Sequence, residues 1–161
     1  MKKSNIKSFF LKFIVIFIFL NANCLADEKL SIKLLKSENF NIYYAMRYDE
    51  FFDFINEIKE KAFECESLNM TSDFLSLIFF GKSNAEFTEY YYEEVENFVL
   101  LKTQCFLDSL MLIKRKESIY LILNNLKNPL FQNKTKISYA LFKFKNKNRY
   151  KKILRAYFDS K

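Results

Sequence analysis

A chain of 161 residues that is half apolar can fill a core, but with one glycine (Gly81) and one proline (Pro129) it lacks the punctuation that hairpins and doubly wound sheets require. The absence of histidine removes Ser-His and Cys-His triads, imidazole acid-base chemistry and the usual zinc and di-iron sites, and a lone glycine leaves no phosphate-cradling loop. The net charge of +7 is unevenly spread: residues 27–108 carry 8 basic and 17 acidic side chains, residues 109–161 carry 14 basic and 2 acidic.

The N-terminus has the three parts of a cleavable export signal over residues 1–26. Lys2, Lys3 and Lys7 form a basic segment, Phe13 to Leu20 an unbroken apolar one, and Cys24-Leu25-Ala26 supplies small residues where a signal peptidase reads. The apolar run is about a dozen residues against the roughly twenty of a bilayer-spanning helix, so no transmembrane anchor is expected after cleavage. Asn23 and Asn21 stand where a lipoprotein motif wants a small residue and a leucine, which argues against lipidation at Cys24. The expected destination is the periplasm or the exterior, with residues 27–161 as a single helical domain.

Residues 27–48 are mixed, with Leu30, Ile32, Leu34 and Leu35 able to open a helix or an extended arm and Asn39-Phe40-Asn41 interrupting the pattern. From Asp49, read as an N-cap, Phe51, Ile55, Ile58, Ala62, Cys65 and Leu68 recur at helical spacing. Thr71-Ser72-Asp73 can cap a short apolar helix through Phe80, central in the fold and closed by a left-handed Gly81. Ser83 with Glu86 reads as a capping box opening the longest pattern, through Phe87, Tyr91, Val95, Phe98, Leu101 and Cys105 to Leu112, with a break placed near Asp108. A helix over Glu117–Lys127 stops before Asn128-Pro129, and two more follow at about 133–144 and 148–158. The expected fold class is all-α: a small irregular bundle or a short solenoid-like array of helical pairs, with about five to six helices.

Cys65 and Cys105 both fall on inward stripes, and an oxidising compartment permits a disulfide between their helices; two buried thiols are the alternative. Glu86, Glu89, Glu93 and Glu96 share a helix face, with Glu94 and Tyr90 to Tyr92 interleaved, and read as a solvated surface rather than a catalytic pair or a calcium loop. No catalytic residue, metal or cofactor is expected, and the chain does not read as an enzyme.

The surface that invites a hypothesis is basic: Lys143, Lys145, Lys147, Arg149, Lys151, Lys152 and Arg155, accompanied by Phe142, Phe144, Tyr150 and Tyr157. Cations among aromatics suit an anionic partner, and export turns the expectation from nucleic acid to an acidic protein or an anionic envelope component. The competing explanations are a solvated rim, or pairing of this half with the acidic half of its own fold. The functional expectation is therefore an exported, non-catalytic binding module using its C-terminal basic face. The alternative is an inhibitor or accessory subunit that occludes a partner through the acidic, tyrosine-rich helix at Tyr90–Glu96.

Overall fold

The computed structural model describes residues 30–37 and 39–159; the export signal read at 1–26 lies outside them. Ten α-helical segments and one 3-10 turn make up the described secondary structure, all of it helical. Short α1 (Ile32–Leu35) and α2 (Phe40–Met46) lead into α3 (Tyr48–Glu64), α4 (Leu68–Ser76) and α5 (Ile78–Gly81). The long α6 (Ala85–Leu101) is followed by α7 (Thr103–Leu112), α8 (Lys116–Lys127), α9 (Lys134–Phe142), a 3-10 turn (Asn148–Tyr150) and α10 (Lys151–Phe158).

The excess over five to six helices has a local cause. Arg47 (φ −138°, ψ 50°) separates α2 from α3, and Lys102 (φ −136°, ψ 48°) separates α6 from α7. Each is one residue outside helical angles, which cuts the hydrogen-bond ladder while the apolar stripe continues on both sides. The break in the long pattern therefore falls at Lys102 and not at Asp108.

Caps also differ from expectation. Asn84, not Ser83, caps α6 by accepting from the Phe87 amide at 3.0 Å, while Ser67 rather than Thr71-Ser72-Asp73 caps α4 by accepting from Met70. Asp49 lies in the first turn of α3, favourable to the helix dipole but not its cap. Asn133 caps α9 through the Thr135 and Lys136 amides, and α8 ends before Asn128-Pro129 as anticipated.

Most positions on the apolar stripes are buried. Phe51, Ile55, Ile58 and Ala62 are buried along α3, and Phe74, Leu75, Leu77 and Ile78 are fully buried in and after α4; Leu68, Leu101 and Leu112 are exposed instead, the last two beside the helix breaks at Lys102 and Ile113. The central helix α4 packs chiefly on α3 and α7, so its strongest contacts skip two intervening segments. In a solenoid each unit meets only its neighbours in sequence; this arrangement is an irregular bundle.

Cys65 and Cys105 stand at disulfide distance, 2.13 Å between sulfurs and 6.2 Å between Cα atoms. Cys65 is the residue that leaves α3 in the left-handed region (φ 65°). The bridge thus joins the two helices that clasp α4.

Gly81 has no left-handed angle, contrary to the cap read from sequence. It is there for closeness: a Cβ at this site would strike the Phe87 ring and stand 2.8 Å from Cζ of Phe40. Both rings are buried and pack edge to face with each other, 4.8 Å between centroids, so neither can slide away. Overpacking of about 3 kcal/mol outweighs the roughly 1 kcal/mol that alanine gains over glycine in a helix, so Gly81→Ala should lose about 2 kcal/mol. A thermal melt checks this; an unchanged midpoint would mean that the rings yield.

Candidate functional site

The C-terminal third is built so that one face must be basic. No carboxylate occurs between Ser118 and Phe158, a stretch holding ten lysines and arginines. In α10 and the turn before it, Tyr150, Ile153, Leu154 and Tyr157 are buried, which leaves Lys151, Lys152 and Arg155 outward at helical spacing.

Two tyrosines fix the rotation of this helix. The Tyr157 hydroxyl lies 2.9 Å from that of Ser138 and donates to the Leu126 carbonyl at 3.2 Å, tying α10 to α9 and α8. Tyr150 donates to Asp108 of α7 at 2.6 Å; burial first, and then this bond to a carboxylate, raise its phenol to about 12.

Lys145, Lys151 and Arg155 converge on one groove of about 210 Å³, floored by Leu154 and Phe158 and completed by Asn146 and Asp159. The Lys145 ammonium lies 5.5 Å from the centroids of both Phe142 and Phe158, within cation–π range. Lys143 and Lys147 lie over Tyr139 and Phe144 at 4.7 and 4.6 Å. These rings hold lysine stems in place while the charges stay accessible, and Phe142 is itself 56% exposed.

Phe158 also lines a second groove of about 480 Å³, together with Tyr120, Lys127 and Lys134. The basic and aromatic character therefore extends beyond the seven residues singled out in sequence.

Those seven do not act alike. Arg149 is drawn into an ion pair with Asp108 and stacks over Tyr150 at 4.9 Å, so it serves the fold. It is the one member of the seven in an ion pair among the described residues. Self-pairing of the two charged halves thus accounts for Arg149 and leaves the other six cations unneutralised. The segment Phe142 to Lys145, alternating like a strand in sequence, is the end of α9 and a turn.

The acidic, tyrosine-rich segment is occupied internally. Of Tyr90–Glu96, Glu93 alone is exposed. Tyr90 donates to Asn56 at 2.6 Å, Tyr91 is fully buried and donates to the Leu75 carbonyl at 2.7 Å, and Glu94 pairs with Lys59 at 3.2 Å. Farther up the helix, Glu86 accepts from both Tyr44 and Tyr48, which lowers its carboxyl below the usual range and raises Tyr48 to about 12.

Glu96 corrects the reading of that stripe as solvated. It is fully buried and accepts four hydrogen bonds: from the Asn125 amide (2.9 Å) and from the backbone N–H groups of Leu130 (3.0 Å), Phe131 (2.9 Å) and Gln132 (2.7 Å). A buried carboxylate is tolerated when its lone pairs are filled in this way. Its effect is to gather the α8–α9 loop, which presents Leu130, 72% exposed, and Phe131 to solvent. The sequence signal available was Leu130-Phe131, an apolar pair inside an otherwise polar loop.

The chain matches no protein-family model, no curated protein and no solved structure. Among the described residues, no three His, Cys, Asp or Glu side chains are grouped to hold a metal ion, and no helix is long and apolar enough to cross a membrane.

Proposed function

We propose that this chain is an exported, non-catalytic binding module whose C-terminal basic face engages an anionic partner, either an acidic protein surface or an anionic envelope component. The observation that carries the reading is the convergence of Lys145, Lys151 and Arg155 on one groove beside Phe158, with Phe142 exposed next to it. Three cations against the single carboxylate of Asp159, with the Lys145 ammonium supported by aromatic rings, raise the local potential, which attracts an anion and orients it.

The occluding-subunit alternative draws less support, because the side chains of Tyr90–Glu96 are largely committed to the fold. Export itself rests on the N-terminal pattern and on the cysteine pair at bonding distance, which suits an oxidising compartment.

The test uses vesicles containing phosphatidylglycerol, neutral vesicles and polyglutamate as probes, at low and high salt. The triple variant Lys145→Gln, Lys151→Gln and Arg155→Gln should bind anionic probes on the order of 100-fold more weakly, at about 1 kcal/mol for each cation near an anionic surface. Binding of the unaltered chain should fall as salt is raised. Affinity that survives the triple substitution, or no affinity for any anionic probe or acidic envelope protein, would refute the reading. Loss of envelope-protein capture on Glu89→Lys and Glu93→Lys instead would favour occlusion through α6.

A further inference from the structure

A third cavity, of about 500 Å³, lies where α4, the end of α7 and the start of α8 meet, and none of its cations belongs to the C-terminal face. Its charged lining is Lys36, Asp73, Lys114 and Arg115. Asp73 is paired with Lys36 at 2.6 Å, so the lining as a whole carries a surplus of two positive charges. Glu117, the carboxylate nearest in sequence, does not line it.

Arg115 is held rather than free. Its guanidinium lies 3.8 Å from the centroid of Phe79 and 5.4 Å from that of Phe80, stacking that leaves the in-plane N–H groups available to a planar or tetrahedral oxyanion. Ser72 lines the cavity at 6% exposure, and its hydroxyl makes no hydrogen bond within the protein. As part of the cavity lining, it can donate to an anion held there. Ser118 is fully buried, and its hydroxyl reaches the Ser76 carbonyl only at 3.5 Å, the outer limit of such a bond.

Ser118 also belongs to the first turn of α8, a twelve-residue helix whose N-cap position, Arg115, supplies no side-chain acceptor. First-turn N–H groups left in that way, with the positive end of the helix dipole, add to the same preference.

We propose that this cavity binds a small phosphate-bearing anion, inorganic phosphate or a compact phosphomonoester. A dianion matches the surplus of two charges, whereas a carboxylate would answer only half of it. The volume lies within the range of small-ligand sites and leaves room for a short organic body beside the phosphate. Lys114 and Arg115 supply charge, Ser72 and the first turn of α8 supply neutral donors, and Lys36 is retained at the wall by Asp73.

Calorimetric titration of the full chain with inorganic phosphate, glycerol 3-phosphate, sulfate and chloride at matched ionic strength tests the site. One saturable event with phosphate or glycerol 3-phosphate and none with chloride is expected, and which of the two binds more tightly tells free phosphate from a phosphoester. Arg115→Gln should weaken it roughly 30-fold and Ser72→Ala roughly 5-fold, from the usual worth of a charged and a neutral hydrogen bond. Lys145→Gln, on the C-terminal groove, should leave it unchanged, and all three variants should melt as folded proteins. Absence of saturable binding, or binding lost with Lys145→Gln and kept with Arg115→Gln, would overturn the assignment.

Discussion

Glu96→Ala is expected to lower the stability of the fold by about 4 kcal/mol, because it strips an acceptor from four donors at once and leaves them facing a cavity. Three of those donors are the consecutive backbone N–H groups of Leu130, Phe131 and Gln132, which cannot turn elsewhere without remaking the loop. Glu96→Gln keeps one carbonyl oxygen but directs an amide N–H at some of the same donors, so about half of that loss is expected. Urea denaturation reads the global effect, and hydrogen exchange reads the local one: the amides of residues 130–132 should be protected in the unaltered chain and exchange rapidly in Glu96→Ala. If stability and protection both survived, the carboxylate would not be what closes the loop.

Removing the bridge between Cys65 and Cys105 should destabilise by a similar amount. A loop closed between partners 40 positions apart in sequence restricts the unfolded chain by about 4 kcal/mol on the chain-entropy argument. For a domain of this size that corresponds to a drop on the order of 15 °C in melting temperature. The double variant Cys65→Ser and Cys105→Ser, or simple reduction, tests it. Because the effect acts on the unfolded ensemble, the urea m-value should rise as the reduced chain expands further. A fall in stability with no change in m would place the effect in the native packing of α3 and α7 on α4 instead.

Gly81 and Glu96 show why some of this was not legible in the sequence. A glycine after an apolar helix suggests a left-handed cap, and only the approach of Phe40 and Phe87 reveals that the missing side chain is what matters. Glu96 falls at the same helical spacing as Glu89 and Glu93, which are exposed, and is distinguished from them by what packs over it: α8 and its following loop, some thirty residues farther along the chain. Periodicity reports which way a side chain points on its own helix. It does not report what another segment brings to meet it.

The basic face was more accessible. Seven cations within thirteen residues are visible in one dimension, and the buried positions of α10 follow from its amphipathic spacing. Their division was not: Arg149 turns to Asp108, Lys145 joins Lys151 and Arg155 across a turn, and neither could be chosen from spacing. The cavity at Ser72 and Arg115 gave no sequence signal, since its residues come from three separate stretches of the chain, at Lys36, 69–80 and 112–118.

By itself, the sequence determined the all-helical class, the central apolar helix, most inward stripes and the electrical polarity, because each depends on composition or on spacing within one element. Tertiary structure decided that the helices form a bundle, that Cys65 meets Cys105, that Glu96 is a buried anchor and that Arg115 stands beside Ser72. Each of those is a meeting of residues distant in sequence, fixed by the packing of whole helices around α4 rather than by any local preference.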